Sequence, residues 1–217
     1  MPLAQRQTKK EVVTAFRTRE ILAAARRIME RHGLEAATME EIAASAGVAK
    51  GTIYLYFQGK EELIQALISQ VGENLLQDLE GILERPDSPR EKLPQVVSLL
   101  LDYLDRERVL FPVYARDLHR GPRPPEKGRW RPLRDMEEKF VQLITRLFAE
   151  GIAAGEFIPA DPRLLTFFLR GLIRAVGYYQ MAEEQQDAIK KALPILLTLL
   201  SSGLCQPANS PAEEAPT

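Results

Sequence analysis

Side chains that donate hydrogen bonds or carry positive charge are gathered in residues 38–60, TMEEIAASAGVAKGTIYLYFQGK. Hydroxyl and ammonium donors are the groups that bind phosphate oxygens and the acceptor edges of bases. Ile53 and Phe57 lie four residues apart, so on a helix they share one inner face. Such a helix points its polar set outward or sideways, namely Lys50, Thr52, Tyr54 and Tyr56. This arrangement favours binding to a nucleic acid.

A capped helix, a glycine turn and a short second helix are predicted to position these side chains. Thr38 is a good N-cap, and Glu41 three residues later completes a capping box. Gly47 can adopt the left-handed conformation that ends a helix. Gly51 adds no side chain to the second helix, so its backbone can approach a duplex closely. The pattern predicts a helix-turn-helix motif over residues 38–57.

The same stretch resembles the TetR family of transcriptional regulators. The positions that match the family signature are Thr38, Ile42, Ala43, Ala46, Gly47, Val48, Lys50, Gly51, Thr52, Ile53, Tyr54, Tyr56, Phe57, Lys60, Glu61 and Leu63. Upstream, the first helix fits the family at Ile21, Leu22, Ala24, Ala25 and Gly33. The resemblance is specific for residues 17–65, and beyond them it rests on length and helical pattern. It implies an all-α protein with an N-terminal three-helix DNA-binding domain, followed by a larger helical domain for ligand binding and dimerisation.

The resemblance also implies roles for the exposed polar residues. Lys50 and Thr52 are expected near base edges, with Gly51 between them. Phosphate contacts are implied for the other donors, which are Thr38, Tyr54, Tyr56 and Lys60. Two simpler interpretations stay open, because the tyrosine at 54 could mainly pack against the first helix and the lysines could be ordinary solvated charges.

Glu40 departs from the family pattern, since many relatives have a basic or polar residue at that position. A carboxylate that faces phosphate lowers affinity through repulsion between like charges. We therefore expect Glu40 to point away from the duplex or to accept a hydrogen bond from a cytosine amine.

Composition argues against several other classes of protein. Hydrophobic residues make up 45% of the 217-residue chain, but no apolar run is long enough to span a membrane. Cys205 is the single cysteine, and His32 and His119 are the two histidines, so neither a disulfide nor a metal site is expected. We expect no cofactor and no enzyme, because glycine-rich phosphate loops and the common hydrolase motifs are absent. The polar N-terminus lacks a signal-peptide core, which favours a cytoplasmic location.

Charge is divided unevenly along the chain. Residues 1–60 carry 10 Lys/Arg against 6 Asp/Glu, whereas the remainder carries 19 against 24. The formal net charge of −1 conceals this difference. A basic head on an acidic body places the attraction for phosphate at one end of the protein.

Helical periodicity extends over most of the chain and predicts about nine helices. They are expected over residues 17–32, as two short helices within 38–57, and over 59–84, 90–106, 109–119, 130–154, 162–182 and 184–202, with an exposed loop at 120–129. The predicted domains are a flexible basic arm at 1–14, a helix-turn-helix domain at 15–62, an effector-binding and dimerisation domain at 63–204, and a disordered tail at 205–217.

Apolar stripes on the last two predicted helices suggest a homodimer interface. The candidate interface residues are Leu165, Leu169, Leu172, Val176, Ile189, Leu193, Leu196, Leu197 and Leu200. One short helix-turn-helix offers few contacts, so such modules usually bind half-sites about one helical turn apart as dimers. The resemblance implies a four-helix dimer interface. The alternative is that the stripes complete the core of a single subunit.

Aromatic residues with polar tips suggest a mostly apolar effector pocket in the larger domain. The candidates are Tyr103, Phe111, Tyr114, His119, Phe140, Phe168 and Tyr178. Core packing is the alternative for each of them. Residues 116–134 hold seven basic side chains against two acidic ones, which would suit an anionic amphiphile. A solvated loop explains the same charges, and an uncharged or cationic aromatic effector is equally compatible.

The sequence therefore predicts a homodimeric regulator that binds a double-stranded, pseudopalindromic DNA operator. A small apolar or amphipathic effector is expected to release it, as for a repressor, without involvement of a membrane. The alternative is a constitutive or architectural DNA-binding protein without an effector. Such a protein would show no ligand-dependent change in DNA affinity.

Overall fold

The computed structural model describes residues 8–113, 131–183 and 187–205. The chain divides into two compact units, Met1–Val71 and Gly72–Thr217. Eight helices are bounded in the described ranges, and a short helical segment lies at 111–113. The helices are α1 (Lys9–His32), α2 (Met39–Ser45), α3 (Lys50–Ile53), α4 (Lys60–Leu83), α5 (Pro89–Arg106), α6 (Arg131–Ala153), α7 (Pro162–Ala182) and α8 (Ala188–Gly203).

The all-α prediction is confirmed. The only β-feature in the described ranges is an isolated bridge between Phe157 and Cys205, beside a hydrogen bond from Ile158 N to Leu204 O of 2.9 Å. This bridge holds the start of the segment that the sequence assigned to a disordered tail. No helix in the described part of the chain is both long and apolar enough to cross a membrane.

The first unit is built around α1. Its buried side chains are Ile21, Leu22, Ala24, Ala25, Ile28 and Met29. Gly33, with a φ of 83°, ends the helix, as glycine does at many helix C-termini. α2 packs its buried Met39, Ile42 and Ala43 in the same unit. These side chains let α2 pack closely on α1, and α3 packs on α2.

The start of α1 corrects the predicted flexible arm. The helix begins at Lys9, so residues 9–14 are helical rather than loose. Apolar periodicity begins later because Val12, Val13 and Phe16 are exposed and give no buried face to detect. Residues 9–32 contain neither glycine nor proline, so helix propensity extends the element beyond its buried part. An ion pair of 2.6 Å between Arg17 and Glu20, one turn apart, supports this extension.

The second unit begins within α4 and has one continuous hydrophobic core. Its largest fully buried members include Leu79, Leu101, Ile144, Phe148 and Phe157. Two helices of this unit start with the same local chemistry, a capping side chain followed by proline at the first helical position. Ser88 forms a capping box with Glu91 at α5, and Asp161 accepts from two backbone amides at α7. Residues 114–130 lie outside the described ranges, and so does most of the predicted helix at 109–119.

Candidate DNA-binding and effector sites

The helix-turn-helix begins at the capping box that the sequence predicts. The Thr38 hydroxyl accepts from the Glu41 amide at 3.2 Å, and the Thr38 amide donates to the Glu41 carboxylate at 3.1 Å. These bonds satisfy orphan donors of the first turn. Gly47, with a φ of 68°, turns the chain, and the Val48 amide bonds to Ala43 O at 3.0 Å. These contacts in the turn fix the angle between α2 and α3.

α3 has a buried inner face and an exposed outer face. Ile53 is fully buried and Phe57 is nearly so, as the sequence predicts for the inner face. Thr38, Lys50, Gly51 and Tyr54 are exposed, while Thr52, Tyr56 and Lys60 are half-buried. The regular helix has only four residues, and a turn carries the backbone on to Tyr56. All seven candidates thus retain some access to solvent, and their contact with DNA stays a prediction.

Two lysines of the candidate surface are already engaged within the protein. Lys50 Nζ lies 2.5 Å from Glu40 Oε1 on α2. This hydrogen bond lowers the pKa of the Glu40 carboxyl and raises the pKa of the Lys50 amine. Lys60 Nζ donates to the Glu35 carbonyl at 2.6 Å, which ties the start of α4 to the loop after α1. An ammonium has three donors, so a phosphate contact by Lys60 must share this group with the loop.

Sequence reasoning missed Leu55. Its side chain is 83% exposed, the highest value among the exposed large hydrophobic residues of the described chain. Its position between Ile53 and Phe57 is the available signal, because a residue two places from a buried helical position faces away from the core. An apolar tip beside Tyr54 can contact a thymine methyl group or a sugar.

In the second unit, two of the candidate pocket aromatics lie together. The Phe111 ring packs on the backbone of Gly177 and meets Tyr178 edge to face, with 5.5 Å between ring centroids. Gln180 Nε2 donates to Asp105 Oδ1 at 3.0 Å. A concavity of about 240 Å³ opens here, bordered by Arg108, Phe111, Gly177, Gln180 and Met181.

Tyr103 is buried and its hydroxyl donates to Asp78 Oδ2 at 2.7 Å. Burial, reinforced by the Asp78 carboxylate, raises the pKa of Tyr103 to about 12. The guanidinium carbon of Arg106 lies 4.5 Å from the centre of the same ring. The hydroxyl is thus a fixed neutral donor that joins α4 to α5.

The other pocket candidates are not brought into this group. Phe168 is 59% exposed on the outer side of α7, so its assignment to an internal pocket is corrected. Phe140 is half-buried and packs against the core of the second unit. Tyr114 and His119 lie outside the described residues. Helical periodicity identifies an apolar position but not which of several neighbouring elements covers it.

Four of the nine candidate dimer-interface residues are buried within a single subunit. Leu165, Leu169, Val176 and Leu196 are buried in the core of their own unit. The rest pack partly against that core, and they are Leu172, Ile189, Leu193, Leu197 and Leu200. The predicted stripes therefore contribute to the core of their own unit, and a contact of the half-buried members with a second copy stays a prediction. The apolar side chains that α7 and α8 expose are Leu164, Phe167, Phe168, Tyr178, Tyr179, Met181, Ile195 and Leu199.

A capped helix, a left-handed glycine turn and a short helix with an open polar face define a helix-turn-helix protein of the DNA-binding class. A family model described as "Bacterial regulatory proteins, tetR family" matches residues 21–67. A second model, for a tetracyclin repressor-like C-terminal domain, matches residues 86–178. The chain belongs to the TetR family of DNA-binding transcriptional regulators.

Individual relatives agree over most of the chain. The HTH-type transcriptional regulator YfiR of Bacillus subtilis (strain 168) is 31% identical over 79% of this chain and 84% of the relative. The fatty acid metabolism regulator protein of the same organism is 26% identical over 84% of this chain and 93% of the relative. The crystal structure of the regulator FadR from Bacillus subtilis, in complex with stearoyl-CoA, superposes with a TM-score of 0.68 at 25% identity, covering 85% of this chain and 98% of that one.

Family membership confirms two broader predictions. The family consists of transcriptional regulators and not of enzymes, so the chain is a DNA-binding regulator without catalytic activity.

Proposed function

We propose that this regulator is a ligand-responsive repressor that binds a pseudopalindromic operator as a homodimer. The observation that carries the proposal is the two-sided segment of α3 and the turn after it, with Ile53 and Phe57 buried and polar donors exposed. Lys50 and Thr52 stand at the start of α3, where base edges are read in such motifs. Tyr54 and Tyr56 follow them along the chain and provide hydroxyl donors for phosphates.

Homodimerisation is supported by the exposed apolar face of α7 and α8. Leu164, Phe167 and Phe168 lie on one side of α7, and Ile195 and Leu199 are exposed on α8. Large apolar patches on soluble proteins usually mark interaction surfaces. A second copy of the same helices would cover this face by a two-fold contact, which is the commonest symmetry of homo-oligomers.

An apolar or amphipathic effector is supported by the aromatic group at Phe111 and Tyr178. Gln180 adds a polar group at the edge of the same concavity. Mostly apolar walls with a few polar groups that orient the ligand are typical of small-molecule binding sites. The relative whose structure contains stearoyl-CoA supports the same class of molecule. Release follows if the effector binds more tightly to an arrangement in which the two α3 helices no longer fit successive grooves.

The test is selection of bound duplexes from random DNA, followed by mapping of the selected sites onto the source genome. We expect dyad-symmetric sites with half-sites about one helical turn apart. Fluorescence anisotropy on the selected duplex then measures affinity with and without fatty acyl conjugates or aromatic cations. A protein that selects dyad sites but never changes affinity with any such compound would be the constitutive binder instead.

A further inference from the structure

Two oppositely charged side chains meet at the front of the helix-turn-helix. Glu40 stands in the first turn of α2 and Lys50 begins α3, and their charged atoms are 2.5 Å apart. The side chains are 50% and 64% exposed, so the pair is accessible to a ligand. Since each partner stabilises the charged form of the other, both remain charged at neutral pH.

The geometry points to Glu40 as a specificity-determining residue that acts through Lys50, so that the pair together reads one G·C base pair in each half-site. This inference rests on the proposed binding of α3 to DNA and deepens it. It concerns which base pair is preferred and how strongly the protein binds unrelated DNA.

The pair weakens the attraction of Lys50 for the sugar-phosphate backbone. A free lysine that binds a phosphate releases about one counter-ion, which adds to affinity for every sequence. Lys50 can reach a phosphate only by leaving Glu40 or by drawing the carboxylate towards the backbone. Loss of the ion pair opposes the first movement, and repulsion between the carboxylate and phosphate opposes the second. Lys50 therefore contributes little to sequence-independent binding.

A G·C pair can form hydrogen bonds with both Lys50 and Glu40 while the two side chains remain paired with each other. In the major groove guanine presents two adjacent acceptors, N7 and O6, and cytosine presents its N4 amine next to them. Lys50 has donors to spare after binding Glu40, and the carboxylate has unused lone pairs. An A·T pair places its donor between two acceptors, so it offers the ammonium one acceptor beside the donor for the carboxylate, whereas a G·C pair offers the ammonium two adjacent acceptors.

The first experiment is selection from random duplex DNA with the full-length wild type, Glu40→Ala and the control Glu30→Ala. Glu30 is an exposed glutamate of α1 outside the candidate DNA surface, so the control removes the same charge. We expect one G·C pair in each wild-type half-site that Glu40→Ala no longer selects. Replacing that pair by A·T should weaken wild-type binding about 5- to 100-fold and weaken Glu40→Ala by less than about 3-fold.

The second experiment measures affinity for an unrelated duplex against salt concentration. Glu40→Ala frees Lys50 for phosphate, so the slope of log affinity against log salt should steepen by about 0.9 per protomer. In a Lys50→Ala background the same substitution should leave the slope unchanged. An equal steepening with and without Lys50 would show a general charge effect and overturn the inference.

The two proposals fail in different ways. A wild type that selects no sequence and binds DNA without salt dependence refutes the DNA-binding role of α3. A wild type that selects a clear motif, which Glu40→Ala reproduces with the same base preferences, refutes only the role of Glu40. Circular dichroism spectra that match the wild type would show that each variant is folded.

Discussion

The buried hydroxyl of Tyr103 allows a quantitative test of how the second unit is packed. Its side chain is only 9% exposed, and its hydroxyl is 2.7 Å from the Asp78 carboxylate. Tyr103→Phe removes a hydrogen bond to a charged acceptor, which is worth about 1.5–3 kcal/mol. Asp78 is exposed and can be rehydrated in the variant. We therefore expect the lower end of this range, a loss of about 1.5 kcal/mol in the free energy of unfolding at neutral pH.

The same residue predicts a dependence on alkaline pH. The folded pKa of Tyr103 is raised to about 12 from an ordinary value of 10.0. Because the folded state disfavours the tyrosinate, this stabilisation is complete below about pH 10 and is lost as the pH rises to about 12. The full loss is about 2.7 kcal/mol, and about half of it is reached near pH 11. Phenylalanine does not titrate, so the two proteins should become equally stable near pH 11.

Urea unfolding followed by far-ultraviolet circular dichroism measures this difference for wild type and Tyr103→Phe at about pH 8 and about pH 11. The comparison cancels the contributions of the other tyrosines and of the lysines, which both proteins share. A difference in unfolding free energy that stays constant over this interval would refute the burial of the hydroxyl. No difference at the lower pH would refute the hydrogen bond to the carboxylate.

Three further predictions concern packing, assembly and DNA contact. Gly177→Ala should destabilise the protein by about 1–3 kcal/mol in urea unfolding, because the added Cβ would lie 2.4 Å from the buried ring of Phe111. Gly171→Ala on the same helix is the control, since its Cβ meets nothing within 4 Å and the change should stabilise the protein by up to about 1 kcal/mol. Phe168→Asp should shift the protein to monomer in analytical ultracentrifugation and lower operator affinity, and an unchanged dimer would remove the exposed face of α7 from the interface. Replacing Tyr54 and Lys60 together with alanine should weaken binding to all duplexes and flatten the salt dependence, because a phosphate contact of the lysine is lost, whereas Thr52→Ala should act on some sequences only; equal anisotropy titrations with wild type would exclude these residues from the interface.

Local chemistry made much of the first unit predictable. The capping box at Thr38 and Glu41 and the left-handed turn at Gly47 depend on residues within a few positions of each other. The inner face of α3 follows from the spacing of Ile53 and Phe57, since helix geometry places them together. Such features need no information about distant parts of the chain.

Contacts between elements were not predictable in the same way. Glu40 was expected to avoid phosphate, but its partner Lys50 lies across the turn, and only the angle between α2 and α3 brings them together. Lys60 was expected on the DNA surface, and its hydrogen bond to the loop carbonyl of Glu35 was not foreseen. The helix start at Lys9 was missed because exposed helix has no periodic signature.

The sequence by itself determined the helices, the helix-turn-helix and the family, because caps, glycine turns and periodicity are properties of neighbouring residues. Only the tertiary structure decided which side of a broad apolar helix faces its own core. On α7 it buries Leu165 and Leu169 and leaves Leu164 and Phe168 exposed. Both pairs satisfy the same helical spacing, and the choice between them depends on where α6 and α8 pack, which no local pattern encodes.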